Sequence, residues 1–155
     1  MERSIDPIIP RKLKIIFLCV AFLGFLDASY LTMVHYLHII PPCYIVQGCQ
    51  SVTTSSYSFI LGVPVALLGT SYYLVVFGLM LFYADTRKLW ILPWITSTTV
   101  LGFLFSLWFL YAQAFIIREW CMYCLFSALT STTLFAFGLY VWKKHMANTP
   151  SVLIF

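Results

Sequence analysis

The chain has 155 residues, of which 62% are hydrophobic and only 9% charged, with a net charge of +4. An average soluble domain carries roughly 25% charged residues, so too little polar side chain is present to cover a soluble globule. Disorder is excluded as well, because disordered chains are poor in apolar residues. The composition fits an integral membrane protein with room for four or five helical passes at about 20 apolar residues each. In a soluble chain a charge of +4 would raise the question of nucleic acid. Here the question is which membrane face holds the positive residues, and no nucleic-acid partner is expected.

Four apolar blocks follow one another, roughly residues 15–36, 63–83, 89–117 and 120–142. Each is too long for a strand and nearly free of charge. They predict an all-α, polytopic membrane protein, a four-transmembrane-helix bundle forming one membrane domain over residues 1–155. Arg3, Arg11, Lys12 and Lys14 precede the first block. That arrangement imitates a secretory signal, but the apolar run is too long and no small-residue cleavage pattern follows, so a retained helix is expected. Residues 38–62 form the longest connection, with Pro41, Pro42, Gly48 and a Ser/Thr-rich run at 51–58. The prolines and glycine predict irregular backbone at its start, and residues 57–61 are apolar enough to lie in the interface as a short helix. Gly62 and Pro64 bracket the entry to the second block, where proline suits a first helical turn.

Arg87 and Lys88 separate the second and third blocks, and Lys143 and Lys144 follow the fourth. Four crossings put these residues and the N-terminal group on one side and leave Arg118 alone on the other. The positive-inside rule then makes both termini and the 85–88 turn cytoplasmic and the 38–62 loop extracytoplasmic.

Four of the five cysteines fall on that outer side. Cys43 and Cys49 lie in the loop as Cys-x5-Cys, and Cys121 and Cys124 form Cys-Met-Tyr-Cys at the outer start of the fourth span. Residues three apart share a helix face, so the second pair can close a disulfide, and a helix N-terminus lowers thiol pKa. Cys121 is expected nearer the water and Cys124 nearly one turn deeper. Static disulfides are an alternative for the loop pair, and a four-thiolate zinc site is an alternative for all four. A disulfide-permissive compartment favours redox chemistry over zinc thiolates. Cys19 lies about one turn into the first span, roughly 30 Å of hydrocarbon from the others, and no redox role is expected of it.

Asp27 is an ionisable residue in mid-span and hence a functional candidate, or else a polar contact to Ser29, Thr32 or a later helix. His35 and His38 sit at the outer end of the first span, where proton relay and a plain interfacial position compete. Arg118 and Glu119 adjoin the Cys-x-x-Cys start, Glu119 suiting a helix N-terminus. Trp90, Trp94 and Trp142 at the inner face and Trp120 at the outer read as a membrane belt.

Three segments carry a family resemblance: GFLDASYLT at 24–32, GCQSVTTSSYSFILGVPVALLG at 48–69 and WCMYCLFSA at 120–128. They resemble the bacterial homologues of vitamin K epoxide reductase over about residues 15–142. The specific part is the order, loop pair first and Cys-x-x-Cys second; the quinone-linked DsbB type places its Cys-x-x-Cys earlier. The resemblance implies a four-helix bundle around a quinone, ubiquinone or menaquinone, in a bacterial cytoplasmic membrane. It implies that electrons pass from an extracytoplasmic, DsbA-like thioredoxin-fold protein to Cys43 and Cys49, then to Cys121 and Cys124, then to the quinone, so that disulfides are generated. Cys124 is implied to adjoin the quinone, and Ser55 to lie near its pocket. Phe59, Leu61, Val65, Leu68, Tyr111 and Phe115 are candidates for the apolar lining. Met122 departs from the proline that bacterial members often carry after the first cysteine. Some members carry a fused thioredoxin-like domain; no segment is left for one here, so a separate partner protein is expected.

Overall fold

The structure is a computed structural model that describes residues 9–39, 48–60 and 62–148. In chain order it comprises α1 (Arg11–Tyr36), a short α2 (Cys49–Thr53), a single 3-10 turn (Ser56–Ser58), β1 (Phe59–Ile60), β2 (Val63–Pro64), α3 (Val65–Thr86), α4 (Ile91–Tyr111) continued by a π-helical turn (Ala112–Ile117), and α5 (Met122–Asn148). Four of these helical segments are long and apolar enough to cross a membrane. In hydrocarbon every backbone N–H and C=O must be satisfied internally, which is why apolar runs of this length become continuous helices. Threonines that would interrupt the apolar surface return their hydroxyls to the carbonyl one turn back, as Thr98 does to Trp94 and Thr132 to Ala128.

The helices form a closed ring in which α1 packs on α3 and α5, and α4 on α5 and α3. Arg11, Lys12 and Lys14 at the start of α1, Arg87 and Lys88 between α3 and α4, and Lys143 and Lys144 near the end of α5 gather at one end; Arg118 lies at the other. The interior is tightly filled near the basic end, by Phe17, Met80, Tyr83, Leu92, Ile95 and Leu134. α1 and α3 approach closely because Gly24 has no side chain: a Cβ there would overlap the Tyr73 ring. That approach carries the Tyr73 hydroxyl across the bundle to α5, where it donates to the Ser127 carbonyl at 2.8 Å and lies 2.7 Å from Thr130 Oγ1. Thr32 and Thr70 hydroxyls, 3.1 Å apart, link the same two helices nearer the far end.

Large apolar side chains such as Leu74, Leu101, Leu104 and Trp108 face outward, as do Trp90, Trp94, Trp120 and Trp142. The outer connection differs from the expected interfacial helix at 57–61. The helical turns lie earlier, at Cys49–Thr53 and Ser56–Ser58, and Phe59–Ile60 instead pairs antiparallel with Val63–Pro64. Ser55 explains the early stop: its hydroxyl donates to the Val52 carbonyl at 2.8 Å, and its own carbonyl accepts from Ser58 N–H and Oγ, so the local polar groups close a turn.

Candidate functional site

The site begins where α4 stops being regular. Its last turn widens over Ala112–Ile117, and Arg118, with φ of 59°, reverses the chain into Glu119, Trp120 and Cys121. Gly48 packs directly on this reversal. An added Cβ would lie 2.7 Å from the Trp120 carbonyl oxygen and 2.8 Å from the Trp120 nitrogen. Docked in this way, α2 covers the start of α5, and Cys49, Val52 and Cys121 form one buried cluster flanked by Phe109, Ile117, Met122 and Cys124. Cys49 is disulfide-bonded, whereas Cys121 and Cys124 are thiols. Cys43 lies outside the described residues. Cys19, an exposed thiol, is on α1 toward the basic end.

Cys121 stands at the outer start of α5 with Cys124 deeper along the helix, yet it is the more enclosed of the two. It is wholly buried, because α2 closes over it, while Cys124 is partly exposed to a cavity. Hydrogen bonding to the Cys124 side chain pulls the Cys121 thiol below its ordinary pKa. Burial opposes this, the backbone N–H groups of Cys124 and Tyr123 reinforce it, and the nearby Asp27 carboxyl acts against it. Asp27 therefore belongs to the surroundings of the Cys-x-x-Cys. Neither its Oδ2 nor Ser29 Oγ has a hydrogen-bond partner, and Thr32 bonds Ala28 and Thr70 instead. Beside it the Tyr30 and Tyr123 rings pack at 5.3 Å.

The cavity, about 710 Å³, opens in the outer half of the bundle between α1, α3, α4 and α5, and Cys124 is part of its wall. That volume is typical of small-molecule sites. Phe59, Val65 and Leu68 line it, and His35 and His38 stand at its α1 side. The His35 ring meets Phe59 edge-on at 5.0 Å, and His38 Nδ1 lies 3.1 Å from the Tyr36 carbonyl. Tyr111 and Phe115 do not line it. They face outward and pack on each other at 5.0 Å. Leu61 lies outside the described residues. Ser55 donates its hydroxyl within the turn after α2, next to Thr54 and close to Ser58, which line the cavity.

Three lining residues escaped the sequence reading. Gln113 is fully buried in the π turn; its Oε1 accepts the Cys121 backbone N–H at 3.0 Å, and its Nε2 has no partner. Deeper in, the Tyr72 and Ser131 hydroxyls sit side by side without closing a bond of good geometry. A lone glutamine in a membrane helix was the one available signal. A mainly apolar chamber with a few unmet polar atoms fits a flat apolar ring bearing carbonyl oxygens, such as a quinone. A metal finds less here: among the described residues no three His, Cys, Asp or Glu side chains gather, and a disulfide-bonded Cys49 offers no thiolate.

A polytopic helical bundle with a buried Cys-x-x-Cys at the mouth of an intramembrane cavity defines a class, that of membrane thiol oxidoreductases. The chain belongs to the vitamin K epoxide reductase family, whose profile matches residues 15–139. Members of this family are in general quinone-linked thiol oxidoreductases of the membrane that work with thioredoxin-like proteins. No curated protein is significantly similar to the chain.

Proposed function

We propose that this protein generates disulfides in extracytoplasmic proteins, taking electrons from a DsbA-like thioredoxin-fold partner and delivering them to ubiquinone or menaquinone. The observation that carries the reading is the packing of disulfide-bonded Cys49 against Cys121, with Cys124 on the cavity wall. The described helices act as one membrane domain, set in a bacterial cytoplasmic membrane. The basic cluster formed by the α3–α4 turn, the start of α1 and the end of α5 supports a cytoplasmic placement of both termini.

In the first step a partner thiolate attacks the Cys43–Cys49 disulfide. A mixed disulfide forms, the second partner thiolate displaces it, and the loop is left as a dithiol. Burial of Cys49 beside Cys121 supports an inner exchange between these two sulfurs, with Cys43 meeting the partner. In the second step Cys49 attacks a Cys121–Cys124 disulfide and Cys43 resolves the product, which regenerates the loop disulfide and leaves two thiols on α5. Attack of Cys49 on Cys121 releases the Cys124 thiolate, and the lowered pKa of Cys121 makes it a good leaving group when Cys43 resolves the Cys49–Cys121 mixed disulfide. When bound, a quinone supplies an acceptor for two electrons and two protons. Cys124, the member of the pair on the cavity wall, makes the contact; Cys121 and Cys124 close to a disulfide as both electrons and both protons leave them.

The test is quinol formation by the purified protein in lipid with a reduced thioredoxin-fold protein. Wild type is expected to form quinol and Cys124→Ser none. Cys49→Ser should fail with the protein donor yet turn over with a small dithiol. Intact turnover by Cys124→Ser would sink the assignment.

A further inference from the structure

We propose that the side-chain amide of Gln113 is the hydrogen-bond donor to a ring carbonyl of the quinone, an assignment that rests on the quinone-linked reading above. The amide is held at one end. Oε1 accepts the Cys121 N–H at 3.0 Å, which fixes the orientation and leaves the nitrogen as the free end. Nε2 is buried and has no partner among the described residues, although the residue has no exposure at all and lines the cavity. Buried amide donors are nearly always paired, so an orphan on a ligand chamber marks a bond that the protein leaves to its ligand.

Location supports the same conclusion. Gln113 is tied to the backbone of Cys121, and Cys124 shares its cavity, so the side chain stands at the reacting end of the chamber. Two other hydroxyls of the lining are committed: Ser127 Oγ lies 3.0 Å from the Tyr73 hydroxyl, and Ser58 Oγ donates to the Ser55 carbonyl at 2.6 Å. Ser131 lies about 10 Å farther along α5. Gln113 also falls within the π-helical turn of α4, the kind of local distortion that accompanies functional sites. A fixed N–H aimed at a carbonyl oxygen stabilises the negative charge that the oxygen gains as electrons arrive, with no reorganisation needed at that moment.

The experiment uses the fully oxidised protein, which cannot reduce a quinone, with ubiquinone-1 and menaquinone-1 carrying carbon-13 at one ring carbonyl. Binding is measured by titration and the carbonyl band by infrared difference spectroscopy. Wild type should lower the frequency of one carbonyl relative to quinone in lipid. Gln113→Met should return that band to its lipid position and weaken binding about tenfold. Gln113→Glu keeps the acceptor for Cys121 N–H and donates only when its carboxyl is protonated. In that variant the band shift should appear at low pH and vanish at high pH, a response that a purely structural role does not produce. Wild-type bands and affinity in both variants would overturn the assignment. Failure of the wild type to bind either quinone would instead overturn the quinone-linked reading, and the Gln113 assignment with it.

Discussion

Replacing Gly48 with alanine tests whether loop docking couples the two cysteine pairs. The new Cβ would lie 2.7 Å from the Trp120 carbonyl oxygen and 2.8 Å from the Trp120 nitrogen. Both atoms are backbone in the reversal that positions Cys121, so neither can rotate away. Restoring an ordinary contact of 3.4 Å requires the loop to retreat by about 0.7 Å. Cys49 is the next residue, and the displacement passes directly to its sulfur. A misplacement near 1 Å costs on the order of a hundredfold in a positioned reaction, so loop-to-Cys121 exchange should slow roughly tenfold to a hundredfold. Overpacking at such a site costs about 1–3 kcal/mol, which the membrane bundle should tolerate. The assay is quinol formation driven in parallel by a reduced thioredoxin-fold protein and by a small dithiol that enters by the cavity and reduces the pair at Cys124 without the loop. Gly48→Ala should lose the first rate and keep or raise the second. An unchanged protein-driven rate would refute the docking argument, and equal loss of both rates would point to damage at the Cys-x-x-Cys itself.

Cys121 should remain a thiolate below the ordinary thiol pKa of about 8.5, because hydrogen bonding to Cys124 favours the charged form. Its ultraviolet thiolate absorbance should therefore disappear only as pH falls through the lowered value. By linkage, the reduced protein holds this stabilisation above the unfolded pKa and loses it over the same descent. Cys124→Ala should move the loss of absorbance to higher pH; an unmoved titration would remove Cys124 as the cause. Tyr73→Phe deletes a hydroxyl placed between Ser127 and Thr130. It should cost roughly 1 kcal/mol in reversible unfolding in detergent, and no loss would mean that the node contributes nothing to α3–α5 cohesion. For orientation, a cysteine placed at Arg118 should react with a membrane-impermeant maleimide from outside intact cells, and one placed at Arg87 only after lysis. The reverse pattern would invert the topology.

The number of passes, the all-α class and the sidedness of the charges were legible in one dimension. They depend on the length of apolar runs and the count of positive residues between them, and hydrocarbon leaves the backbone no alternative to helix. The Cys-x-x-Cys was legible for the same reason, since its spacing and its place at a helix start are local. What depends on how distant segments meet was not. Cys121 is sealed rather than water-facing because Gly48, far away in sequence, lets α2 close over it. Ser55 is held by its own turn, and Tyr111 and Phe115 face outward at the end of α4, a choice that no residue pattern announces. Gln113 stood in the sequence as one polar residue in an apolar block. Only the tertiary structure gave its carbonyl to Cys121 and left its nitrogen to the cavity. Composition determined the solvent this chain lives in, through the cost of exposing or burying backbone. Packing decided which polar atoms remain unmet, and those unmet atoms mark the site.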